Sequence, residues 1–75
     1  MLSEARIIKI DSDIARKAGV IRIKGRDKGY QIKLPDALIA ATAIIENAFL
    51  VTHNTSDFLK IAQFETLNII DPAAA

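Results

Sequence analysis

The segment LPDALIAATAIIENAFLVT, residues 34–52, constrains the fold more than any other part of the chain. From Asp36 to Glu46 it reads DALIAATAIIE, with Thr42 the only polar residue between the two acids. A helix of that composition is apolar on nearly every face, so it belongs between layers and not on a surface. Pro35 fits its first turn, where the missing N–H costs nothing, and biases Leu34 toward an extended conformation. Ala37, Ala40, Ala41 and Ala43 would let the helix approach a sheet closely. Asn47 suits the left-handed position after the last turn. The run FLVT, residues 49–52, then reads as a strand covered on both faces.

The flanking segments extend this pattern in both directions. RIIKI, residues 6–10, is a short isoleucine-rich strand candidate, and Asp11-Ser12-Asp13 offers a helix N-cap. Ile14, Ala15, Ala18 and Ile21 recur at helical spacing, with Arg16, Lys17, Arg22 and Lys24 largely off that stripe. Gly19 weakens this basic amphipathic helix, and GRDKG, residues 25–29, is expected to be the loop that ends it. Thr55 or Ser56 caps a further helix through about Gln63, with Asp57 in its first turn. LNII, residues 67–70, is a last strand, and DPAAA a frayed tail. The order strand, helix, helix, strand, helix, strand predicts an α/β fold in which helices pack on a small parallel sheet.

Size limits what such a fold can bury. At 75 residues the chain holds at most one domain, and one that buries only about 60% of its unfolded surface. Yet 51% of its residues are hydrophobic and its mean hydropathy is +0.23, which implies surfaces meant for a partner. Without cysteine there is neither a disulfide framework nor a thiolate metal site. The N-terminus has no extended apolar region of a secretory signal. The run from Ala37 to Ile45 falls far short of the about 20 residues a membrane span needs, so a cytoplasmic protein with no membrane association is expected. Charge is segregated: residues 1–33 carry nine Lys/Arg against four acids, and residues 34–75 carry Lys60 against five acids. That division suits a protein that attracts a phosphate backbone with one surface and holds a cation with another, although segregated solvated faces produce it too.

In open parallel sheets ligands sit beyond the carboxyl ends of the strands, where the turn THNTSD follows FLVT. Asp57 and Asn54 lie at that end. Asp36 reaches the same end if its helix runs antiparallel to the strand that follows. Converging carboxylates repel unless a cation lies between them. Oxygen ligands without His or Cys point to Mg2+ or Mn2+, and the matching reaction is metal-assisted phosphodiester hydrolysis. Taken singly, an Asp at a helix start serves as a cap or dipole partner.

The pieces PDALIAATA, residues 35–43, and VTHNTSDF, residues 51–58, followed by the strand in LNIID, resemble the C-terminal core of a PIN domain, the ribonuclease fold of the VapC-type toxins of bacterial and archaeal toxin-antitoxin pairs. The upstream strand and the helix containing Ala15 and Ala18 precede the motif in the family's order. The resemblance implies a Mg2+ or Mn2+ site in which Asp36 is the third acidic residue and Asp57, with Asn54 beside it, supplies the fourth. Thr52 matches the polar residue at the strand end, whose hydroxyl orients a phosphate or water. It also implies an RNA substrate and an antitoxin protein as partner. The family's N-terminal Asp-bearing strand and Glu-bearing helix have no counterpart here, Glu4 included. The expectation is therefore a partial PIN-like, Rossmann-like fold spanning residues 1–75, inactive as a ribonuclease on its own, that forms a homo-oligomer or pairs with a complementary N-terminal half.

Two readings compete with this one. The first is a non-catalytic oligomerising module, with Asp36 a mere cap; the second is a truncated receiver-like domain, favoured if Asp36 lies far from Asp57. His53 reads as an exposed loop residue because it has no second His or Cys as partner. Lys24, Arg26 and Lys28 fit RNA phosphates or a solvated loop equally. Phe49, Phe58 and Phe64 are expected in the core.

Overall fold

The computed structural model describes residues 10–74. The expected strand at residues 6–10 and Glu4 lie outside the described residues, Ile10 excepted, which is exposed and precedes the first helix. Helix α1 spans Ser12–Asp27, α2 Leu34–Ile45 and α3 Thr55–Ala62, while strands β1 (Phe49–Val51) and β2 (Asn68–Ile70) form a two-stranded parallel sheet joined through α3. The register pairs Phe49 with Asn68, Leu50 with Ile69 and Val51 with Ile70. The α/β class with a parallel sheet therefore holds.

Helix α1 starts as its sequence dictates, with Asp11 Oδ1 accepting from the Ile14 N–H at 2.9 Å. Ile14, Ala18, Ile21 and Gly25 form its buried stripe. That stripe meets α2, whose most extensive packing is against α1 and not against the sheet. The alanines of α2 thus serve a close helix–helix contact, where Ala37, Ala40 and Ala41 are fully enclosed. Ile21 and Ile61 are also fully enclosed, and each such side chain stabilises the fold by about 1.5–3 kcal/mol.

The end of α1 departs from expectation for a packing reason. The helix continues through Gly25 to Asp27, because Gly25 is not a turn residue: a Cβ there would run into the Ile32 side chain. Gly29, at φ 84°, makes the turn. Tyr30 N–H then donates to Gly25 O at 2.8 Å and Gly29 N–H to Arg26 O at 2.9 Å, the paired bonds of a Schellman motif. The same motif closes α2, where Asn47 has φ 53°, Ala48 N–H donates to Ala43 O at 2.9 Å and Asn47 N–H to Ile44 O at 3.2 Å. The left-handed Asn47 matches the sequence reading.

Between these helices Arg22 Nε donates to Ile32 O at 3.1 Å and ties the connector to α1. Helix α2 begins one residue earlier than expected, at Leu34, with Lys33 as its extended N-cap and Pro35 still within the first turn.

Four other expectations are corrected. Strand β1 is covered on one face only: Leu50 packs against the core, but Phe49 is 66% and Val51 59% exposed. Phe49 is therefore not a core residue, whereas Phe58 is buried and Phe64 packs at the core margin. A continuous apolar run says that no position needs water, not that every position has cover. The N-cap of α3 is Asn54, not Thr55 or Ser56, because Thr55 already lies inside the helix. The tail is ordered into one 3-10 turn, Pro72–Ala74, with Asp71 Oδ1 accepting from Ala73 N–H at 2.9 Å. No helix among the described residues is long and apolar enough to cross a membrane.

Candidate metal and phosphate site

The turn after β1 positions the first acid. Thr52 N–H donates to Ile70 O at 3.0 Å, continuing the ladder one step past the strand. Thr52 Oγ1 then accepts from the Asn54 N–H at 3.0 Å, which closes the turn into α3. Asn54 Nδ2 donates to Asp57 Oδ2 at 3.0 Å and orients that carboxylate. Its other oxygen, Oδ1, lies 3.8 Å from Lys60 Nζ, one helical turn along. Asp57 is thus held by two neighbours of its own element and is half-buried.

Asp36 arrives from a different element. It sits in the first turn of α2, three residues after Lys33, and is half-buried. Both acids occupy first turns of helices, where the macrodipole favours negative charge. A cavity of about 130 Å3 opens between them, lined by Gln31, Ile32, Lys33, Asp36, Asp57 and Lys60. Two acids separated by 21 positions in the chain therefore share one pocket.

Of the four residues singled out from the sequence, Asp36 and Asp57 line this pocket, Asn54 acts on it through Asp57, and Thr52 does not line it. Sequence reasoning missed Lys33 and Lys60. The signal was present in the spacing: each acid has a lysine three positions away, Lys33 before Asp36 and Lys60 after Asp57. The two ammonium groups balance the two carboxylates. His53 is exposed, as expected. Lys24 is not a free loop residue; it pairs with Glu65 at 3.1 Å.

The family model described as PIN domain matches residues 1–64, a span that includes every pocket residue. The chain belongs to the PIN domain family. No curated protein and no solved structure matches it significantly. PIN domains are nuclease-type proteins that in general act on RNA and depend on divalent metal, and the small α/β architecture with its parallel strand pair is consistent with part of that fold.

The donor chemistry of this PIN domain suits such an ion in type. Two carboxylates line the pocket beside the Gln31 amide, and Mg2+ commonly binds through one or two carboxylates with several waters and substrate phosphate oxygens completing its shell. In number the set is small, since no group of three or more His, Cys, Asp or Glu gathers among the described residues.

Proposed function

We propose that this PIN domain chain is the C-terminal portion of a Mg2+- or Mn2+-dependent endoribonuclease, the toxin component of a toxin-antitoxin system acting in the cytoplasm. The observation that carries the reading is that Asp36 and Asp57, brought in by two different helices, line one pocket. In this reading both acids hold the divalent ion, Asp57 through Oδ1, the oxygen that is not hydrogen-bonded to Asn54. Asn54 fixes the rotamer of Asp57 through the 3.0 Å hydrogen bond, and Thr52 shapes the turn that presents Asn54. When bound, the ion supplies a nucleophilic water at neutral pH and offsets charge on the phosphodiester. RNA is the substrate, and an antitoxin protein covers the enzyme until it is released.

Two carboxylates are a weak hold, so the isolated chain is expected to turn over RNA slowly or not at all until a second copy or a complementary N-terminal half contributes further acids. The test is calorimetric titration with Mn2+ followed by an RNA cleavage assay. Measurable Mn2+ binding that Asp36→Asn and Asp57→Asn each weaken at least tenfold supports the site; binding unchanged in both variants rejects it. Turnover by the isolated chain that Asp36→Asn abolishes would keep the site and overturn the proposed inactivity.

The open face of β1 favours a second reading, a non-catalytic module that oligomerises through Phe49 and Val51. It requires that neither acid affect Mn2+ binding, so the same titration separates the two.

A further inference from the structure

Lys60 is the only Lys or Arg between residues 34 and 75, and it lines a cavity that Asp36 and Asp57 also line. Its placement is built from several directions. Its Nζ stands 5.8 Å from the centroid of the Tyr30 ring, within reach of a cation–π contact. The Tyr30 hydroxyl in turn donates to Gln63 Oε1 at 2.9 Å, which fixes the ring against the end of α3. On the other side Asp57 Oδ1 is 3.8 Å away.

That last distance is informative. A charge-assisted hydrogen bond between ammonium and carboxylate is about 2.7–2.9 Å long, so Lys60 neutralises Asp57 without locking to it. Both side chains are 47% exposed, and a pair of that kind is held weakly and screened by salt. A divalent ion carries twice the charge and competes for the same carboxylate oxygen. Once Asp57 is claimed, the ammonium keeps its seat on Tyr30 and faces a pocket that also holds Lys33. The anion that suits this arrangement is a phosphate.

We infer that Lys60 is a phosphate-positioning residue that alternates with the divalent ion: it covers Asp57 in the ion-free pocket and takes an RNA phosphate when the ion occupies the acids. This rests on the metal site proposed above. An internal comparison separates it from an ordinary surface pair, because Arg16 and Asp13 on α1 show the same spacing and the same 3.8 Å separation, with side chains 75% and 71% exposed, and neither lines the cavity shared by Asp36 and Asp57.

The experiment uses the whole 75-residue chain and compares wild type with Lys60→Met, Lys60→Arg, Arg16→Met and Asp36→Asn, each checked for native circular dichroism. Calorimetry gives Mn2+ affinity. Fluorescence anisotropy of a labelled single-stranded phosphorothioate RNA, with Mn2+ saturating and salt varied, gives the salt dependence of binding. Lys60→Met is expected to bind Mn2+ severalfold more tightly and to lower the slope of log affinity against log salt by about 0.7, the share of one single-strand phosphate contact. Lys60→Arg keeps the slope, and Arg16→Met leaves Mn2+ affinity unchanged. If Lys60→Met matches wild type in Mn2+ affinity or in slope while Asp36→Asn loses the ion, the metal site stands and the role given to Lys60 is wrong. If wild type and Asp36→Asn bind Mn2+ equally, or not at all, both fall together.

Discussion

Glu65 shows how much one residue can carry in a chain this small. Its side chain is only 7% exposed and receives two ammonium groups of α1, Lys17 at 2.7 Å and Lys24 at 3.1 Å. Burial by itself raises the pKa of this carboxyl, but the two lysines, through hydrogen bonds and charge, outweigh it and hold the carboxyl below its ordinary 4.5. A carboxyl depressed on folding stabilises the native state above its unfolded pKa and loses that contribution as pH falls through the folded value. Acid unfolding should therefore begin below about pH 4.5, and Glu65→Gln should both flatten that dependence and cost about 1–3 kcal/mol at pH 7, read by urea denaturation across a pH series. Two glycines give opposite outcomes in the same assay. Gly19→Ala adds a methyl group to open space on α1 and should stabilise by about 0.5–1 kcal/mol. Gly25→Ala drives a methyl group into Ile32 and should cost about 1–3 kcal/mol. Nothing in the local sequence separates these glycines, because the difference lies in a residue seven positions away that folds back onto only one of them. The Glu65 cluster was hidden for the same reason: its partners lie 48 and 41 positions upstream.

At the scale of elements, the helices and strands were legible because their signals are local. Periodicity found Ile14, Ala18 and Ile21 of the buried stripe of α1, though it also counted Ala15, which is exposed; Asp11 marked the start of that helix, and Asn47 marked the end of α2. That last position gives a clean test. Asn47 sits at φ 53°, so Asn47→Ala should cost about 1 kcal/mol while Asn47→Gly is neutral or better, measured as shifts in the urea midpoint at constant m-value. What an element packs against was less legible. The alanines of α2 promised a close neighbour without saying whether it was a strand or a helix, and the run FLVT carried no mark of which face would stay open. The convergence of the acids was legible as a topological argument from the end of β1. Lys33 and Lys60 were marked only by their spacing, three positions from each acid, and that spacing reads the same whether or not a cavity lies beside the lysine.

For the molecule as a whole, the sheet is the exposed flank. Two three-residue strands are marginal on their own, and Phe49, Val51 and Ile70 present large apolar side chains to solvent around them. The double variant Phe49→Lys, Val51→Lys should lower concentration-dependent association, followed by sedimentation velocity, with a loss of monomer stability below about 0.5 kcal/mol, because these side chains lie largely outside the core. The pocket has a different foundation. Its acids ride on the first turns of α2 and α3, two helices that contact one another and share the core, and not on the sheet. An ion gripped by both would therefore act as a staple across that helix pair, raising the melting temperature in proportion to its grip. By reciprocity, a cavity opened beneath the pair, as by Ile61→Ala, should loosen the grip before it unfolds the chain, so that ion affinity becomes a gauge of how firmly two helices are seated.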